Sequence, residues 1–187
     1  MGKLSAGIDE ALRTFIEAQR MFFVATAPLD ASGHVNVSPK GLGALRILDP
    51  HTIGYLDFVG SGAETIAHVR ENRRIAIMVC AFQGPPRIVR LHGHGEVIEP
   101  PDPEYQRLRS LFAQPAAARA IIRVAIDRIS DSCGYGVPLY TYEGDRPQFA
   151  NWAERKGEQG LFQYQRDKNR MSIDGLPALR WTEKPHG

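Results

Sequence analysis

Cysteine is scarce: the 187 residues hold two, Cys80 and Cys133. Two thiols make no disulfide framework, so the fold has to rest on its core, and the count fits a reducing cytoplasm. An excess of one charge is missing as well, since 23 Lys and Arg face 21 Asp and Glu, a formal net charge of +2. The densest basic runs, 70–74 and 87–90, are short. They read as solvated ends of a helix and a strand, not as the basic stripe with interleaved aromatics of a nucleic-acid binder. No apolar run approaches the roughly 20 residues that span a bilayer. The opening MGKLSAGIDEALRTF has no apolar stretch leading to a cleavage site, so no secretory signal is expected. The expectation is a cytoplasmic protein with neither nucleic acid nor membrane as a partner. Repeats, low-complexity tracts and interdomain linkers are absent too. What remains is an ordinary globular composition, 43% hydrophobic and 24% charged, on a chain long enough for one well-buried core.

Hydrophobic spacing orders the chain. Ile8, Leu12, Phe15 and Ile16 recur at helical intervals with Asp9, Glu10, Arg13 and Glu17 turned away, which predicts an amphipathic first helix with Ser5 as its N-cap. The run 22–26 (FFVAT), the turn residues 30–33 (DASG) and the alternating 34–38 (HVNVS) predict a hairpin. Strands follow over 44–48 and 52–58 around the turn Asp49-Pro50-His51, and Gly60-Ser61-Gly62 opens a helix to about Asn72. The segment 74–82 is apolar nearly throughout and reads as a strand buried on both faces, ended by Gly84-Pro85-Pro86. A long strand over 87–99 is stopped by Pro100-Pro101. A helix over 102–112, an Ala-rich segment, a strand over 121–129 and two tail helices over 146–156 and 158–169 complete the reading. Six or so short strands, mostly joined by tight turns, predict a mainly β fold, a closed or partly open antiparallel barrel with flanking helices. Strict β–α–β alternation is lacking, which argues against a doubly wound parallel sheet.

Three segments could carry chemistry. In Gly60-Ser61-Gly62-Ala63-Glu64-Thr65 the glycines would let a ligand approach the backbone, and a helix N-terminus offers N–H groups to a phosphate. The same residues also read as a capping box between Ser61 and Glu64, and Glu64 would repel a phosphate in that spot. In Ser38-Pro39-Lys40-Gly41 the lysine is a mobile point charge suited to a phosphate or to an electron-rich ring edge, or else a solvated turn residue. His92, His94 and Glu96 share one face of a strand but spread over ~13 Å, so they converge poorly on one metal ion, and no metal site is expected. One of the two histidines stays open as an axial haem ligand. Cys80, within an apolar strand, reads as an inert core thiol.

The order of these residues resembles the pyridoxamine 5′-phosphate oxidase-like FMN-binding split barrels. The resemblance is carried by FFVAT (22–26) with GHVNVSPKG (33–41), by TIGYLDF (52–58) with TIAHVRENRRIAIM (65–78), and by the strand with IVR (88–90) and HGHGEV (92–97). It implies a six-stranded antiparallel split barrel with flanking helices and a helical C-terminal tail. One domain is expected: a barrel core over 1–132 and an extension over 133–187. It also implies a homodimer with two flavin sites at the subunit interface. Ser38, Pro39, Lys40 and Gly41 would lie near the flavin ring or ribityl chain, and Ser61, Gly62, Ala63 and Thr65 near its phosphate. Tyr140, Tyr142, Phe149 and Trp152, with Lys156, would either cover the partner's site as a lid or pack on the barrel. This sequence departs from the true pyridoxamine phosphate oxidases in having Thr65 where they carry a basic residue, and in lacking their C-terminal Arg and His pattern over 161–187. The implied function is an FMN-dependent oxidoreductase acting on a small organic substrate other than pyridoxamine phosphate. Haem binding or breakdown, a deazaflavin-dependent reductase and a non-catalytic flavin carrier stay open as alternatives.

Overall fold

A computed structural model describes residues 3–113 and 117–183. Eight strands and four α-helices follow one another along it in the order β1 (Lys3–Ser5), α1 (Glu10–Ala18), β2 (Phe22–Thr26), β3 (Asn36–Lys40), β4 (Leu45–Asp49), β5 (Thr52–Phe58), α2 (Glu64–Asn72), β6 (Arg74–Cys80), β7 (Ile88–Ile98), α3 (Tyr105–Arg109), β8 (Ala118–Ser132) and α4 (Gln148–Lys168). All pairings are antiparallel, in the spatial order β3-β2-β6-β7-β8-β5-β4, with β1 added along β8. The sheet curls into a split barrel whose two free edges are β3 and β4. Its core face carries Val24, Ile53, Ile77, Val89, Leu91 and Ile122, each fully buried. Helix α2 packs over β2, β6 and β7, and the family's expected barrel is present with two strands more than six.

Several local expectations shift for identifiable reasons. Asp9, not Ser5, caps α1, because its carboxylate accepts the Leu12 N–H at 2.8 Å. Strand β3 begins two residues later than the alternation suggests and extends through Pro39 to Lys40. A proline is tolerated there because β3 is an edge strand whose other side needs no donor. The predicted capping box does not form: Ala63 is the N-cap of α2 without a side-chain bond. Helix α3 is only one turn, and 114–116 of the Ala-rich segment lie outside the described residues. Strand β8 runs 15 residues instead of nine because it is shared by β1, β5 and β7. The two tail helices are joined as α4, but Gly157 between them sits at φ 64°, ψ 176°, so the expected break is real.

The register of β7 against β8 slips between His92 and Gly93, leaving Asp127 as an extra residue in β8. Gly93 is needed at that bulge, since a Cβ there would overlap the Ala125 carbonyl oxygen. Main chain cannot swing aside as a side chain does. Gly93→Ala is therefore expected to cost about 2 kcal/mol or more. For a chain of this size that lowers the melting midpoint by roughly 4–8 °C, and an unchanged calorimetric midpoint would contradict this packing.

Candidate functional site

The free edge β3 presents Asn36, Ser38 and Lys40 on the barrel side, while Val37, 63% exposed, faces out with Pro39. These inward side chains bridge the gap that the sheet leaves open. The Lys40 Nζ donates to Asp57 Oδ1 at 2.7 Å, joining β3 to β5 across the seam. The second carboxylate oxygen, Oδ2, accepts from Arg119 Nε of β8 at 2.8 Å, and Arg119 Nη1 donates to the Gly62 carbonyl at 2.7 Å. Asp57 is fully buried. Burial alone would raise its pKa, but Arg119 and Lys40 outweigh that and hold the carboxyl down to about 2. Two cations share one anion, so the cluster retains one uncompensated positive charge.

A second chain of hydrogen bonds lies beside it. Ser38 donates to Asn36 Oδ1 at 3.1 Å, and Asn36 Nδ2 donates to Thr65 Oγ1 at 3.0 Å and to Thr26 Oγ1 at 3.2 Å. Thr26 in turn meets His68 Nδ1 at 3.0 Å. Burial lowers the His68 pKa against the opposing pull of Asp174, Glu64 and Glu71, which keeps the ring neutral near pH 7. Tyr55 is fully buried beneath Lys40, whose ammonium stands 5.8 Å from the ring centroid. Ser38, Lys40, Gly62 and Thr65, expected near one ligand, are thus tied together by Asn36, Asp57 and Arg119.

The first turn of α2 is built differently from a bare anion cradle. Ser61 is exposed, Ala63 is buried, and the Glu64 carboxylate lies against Gly62, where a Cβ would strike it. Glu64 Oε1 also accepts the Ile173 N–H at 3.2 Å. This belongs to a strap formed by the chain after α4. Asn169 Nδ2 donates to the Gly60 carbonyl, His34 donates its backbone N–H to Asp174 and pairs with it through Nδ1, and Arg70 donates to the Ala178 carbonyl. Glu99, paired with Arg70, then accepts the N–H groups of Arg180 and Trp181.

Other expected residues go elsewhere. Trp152 and Lys156 lie on α4, where the ammonium stands 5.7 Å from the Trp152 ring centroid and 5.2 Å from that of Tyr164. That arrangement rests on Phe149, which packs on Phe58 at 5.1 Å. Phe149, Tyr140 and Tyr142, expected from sequence as a lid or as barrel packing, line a cleft of about 550 Å³ next to Pro39, Lys40 and Gly41 of their own chain. The core side of β7 is taken by Val89 and Leu91, so His92 and His94, the candidates for an axial haem ligand, point the other way. There His94 is 55% exposed and 3.5 Å from Asp127. Among the described residues no three His, Cys, Asp or Glu side chains gather as a metal-ligand set. Cys80 is buried, and burial pushes its thiol pKa up, as fits an inert core residue.

A split barrel with a polar seam of this kind defines a class, and sequence comparison places the chain within it. Residues 8–133 match the profile of the family described as pyridoxamine 5′-phosphate oxidase. The Aspergillus flavus protein ustO, described as a pyridoxamine 5′-phosphate oxidase family protein, is 39% identical over 197 residues, spanning 96% of this chain and 79% of ustO. The chain belongs to the pyridoxamine 5′-phosphate oxidase family. The solved structure of HupZ from Group A Streptococcus shares the fold with a TM-score of 0.56, 21% identity, and coverage of 71% of this chain and 99% of HupZ. A solved structure from Lactobacillus delbrueckii shares it with a TM-score of 0.52 and 20% identity, over 69% of this chain and 98% of that one. No described helix is long and apolar enough to cross a membrane.

Proposed function

We propose that this protein binds FMN and catalyses a redox step on a small organic substrate, working as a homodimer. The observation that carries the reading is the Lys40–Asp57–Arg119 cluster. It fixes a lysine at the edge of an aromatic-walled cleft and leaves one net positive charge there. Bound FMN supplies hydride chemistry, and the protein's part is binding, orientation and charge. Lys40 would hold the electron-rich edge of the ring, where a fixed cation is most useful as negative charge accumulates. Arg119 would support it from behind through Asp57. Ser61 and the N–H groups around Gly62 and Ala63 are suited to the phosphate, with Thr65 below them. Glu64 opposes an anion there. Val35, just before edge strand β3, and Val37 on it are 71% and 63% exposed, which supports burial of that edge against a second copy.

Purified protein loaded with FMN and desalted should keep flavin absorption at about one flavin per chain, in a particle of twice the chain mass by light scattering. Glu64→Gln should tighten FMN several-fold and leave riboflavin unchanged, because only FMN carries the phosphate that Glu64 repels. Flavin that washes through, or a Soret band in its place, would overturn the reading. An equal effect of Glu64→Gln on both flavins would move the phosphate away from α2.

A further inference from the structure

We propose that the cleft beside Lys40 selects its substrate as a carboxylic acid with a flat apolar body, the carboxylate being received by Arg20 and Arg146; this rests on the flavin reading above and names the substrate class of that site. The cleft, about 550 Å³, is large enough for a small molecule. Its far wall comes from the segment 140–149, beyond the part of the chain that matches the family profile. That wall is held in place. The Tyr140 N–H donates to the Phe82 carbonyl at 2.9 Å, the two rings lie 5.6 Å apart, and Phe149 is seated on Phe58. Tyr140 and Tyr142 nevertheless remain 62% and 46% exposed, leaving aromatic faces that a flat apolar body would cover.

The charges around the cleft are specific. Its lining carries three cations, Arg20, Lys40 and Arg146, and one acid, Asp145. The Lys40 ammonium donates to Asp57 and, on the flavin reading, faces the ring edge, so it is not the group left for a substrate carboxylate. The Asp145 carboxylate lies close enough to the Tyr142 hydroxyl to raise the phenol pKa. The Arg20 guanidinium carbon lies 5.3 Å from the Tyr142 ring centroid, a cation–π contact that holds the side chain at the cleft. Neither Arg20 nor Arg146 has a carboxylate partner among the described residues. A planar guanidinium fork matches a carboxylate with two parallel hydrogen bonds, whereas a neutral amide of the same shape offers it one acceptor.

Titration calorimetry with 3-phenylpropionate, 3-phenylpropanamide and propionate tests both halves of the inference on the FMN-loaded protein. The aromatic acid is expected to bind at least ten-fold more tightly than either the amide or propionate. Arg20→Gln and Arg146→Gln should each weaken it at least five-fold, with melting midpoints showing that both variants fold. Equal binding of acid and amide, or unchanged binding in both variants, would overturn recognition of the carboxylate. Equal binding of propionate would overturn the apolar body. Exclusion of the acid by FMN would also overturn the inference, because the cleft would then be the cofactor's own seat. If FMN is not retained but the acid binds the flavin-free protein with these preferences, the flavin reading falls and the specificity of the cleft stands.

Discussion

Asp57→Asn is expected to destabilise the protein by about 3 kcal/mol or more, the range found when one member of a buried ionic cluster is removed. Asp57 is fully buried and both of its oxygens are used, one by Lys40 and one by Arg119. The amide can keep one acceptor but no charge, so two cations with side chains 15% and 5% exposed lose their counter-ion. The melting midpoint should fall by roughly 6–12 °C. The pH dependence separates this from a packing defect. The folded pKa of about 2 lies below the ordinary 3.8, so the unfolded chain binds the proton more readily. The contribution of Asp57 is complete above the ordinary value and is lost as pH falls from about 4 towards 2. The wild type should lose its advantage over Asp57→Asn across that acid window. A constant difference between the two proteins at all pH values would refute the ionic account.

Lys40→Met should do the reverse, with a small change in stability and a large one in flavin binding. Without the ammonium, Asp57 still has Arg119, and Arg119 still holds the Gly62 carbonyl. The methionine stem can follow the lysine stem over the Tyr55 ring. What disappears is the net positive charge of the cluster, since Asp57 and Arg119 then balance. A hydrogen bond to a charged group contributes about 1.5–3 kcal/mol, so FMN affinity should fall by roughly ten- to a hundred-fold. The midpoint potential of the bound flavin should also drop, because the negative charge gained on reduction loses its partner. Fluorescence titration and dye-coupled potentiometry measure the two effects. If affinity and potential both match the wild type, Lys40 has no role at the flavin.

These two residues show unequal legibility. Lys40 is visible in the chain because Ser38-Pro39-Lys40-Gly41 follows a strand of alternating pattern and resembles a family segment. Asp57 and Arg119 read simply as members of their segments, although each carries a signal. Both are charged positions inside runs that are otherwise largely buried, TIGYLDF and ARAIIRV. A charge in such a run needs a partner or it would not be there. What the run cannot reveal is which partner. Lys40 and Asp57 are 17 residues apart and Asp57 and Arg119 are 62 apart. Their meeting depends on the sheet closing round until edge β3 lies opposite β5. Thr26, Asn36 and His68 escape a reading of the sequence for the same reason, each being unremarkable within its own element.

By itself the sequence determined those features whose cause is local. Runs of β-forming and apolar residues bounded by turn residues placed strands near 22–26, 52–58, 74–80 and 88–98, because residue type and turn chemistry are written residue by residue. Glycine placed the break at 157, because a left-handed φ is a property of the residue itself. Family likeness supplied the barrel and brought Ser38, Lys40 and Thr65 towards one ligand. Only the tertiary structure decided what faces what. It turned His92 and His94 away from the core, and it folded Glu64 back on Gly62 and into the strap instead of pairing it with Ser61. It set Tyr140, Tyr142 and Phe149 beside Lys40 of their own chain while Trp152 enclosed Lys156 elsewhere. Contacts of this kind are settled by which surfaces the closed sheet leaves opposite one another, and no spacing along the chain encodes that distance.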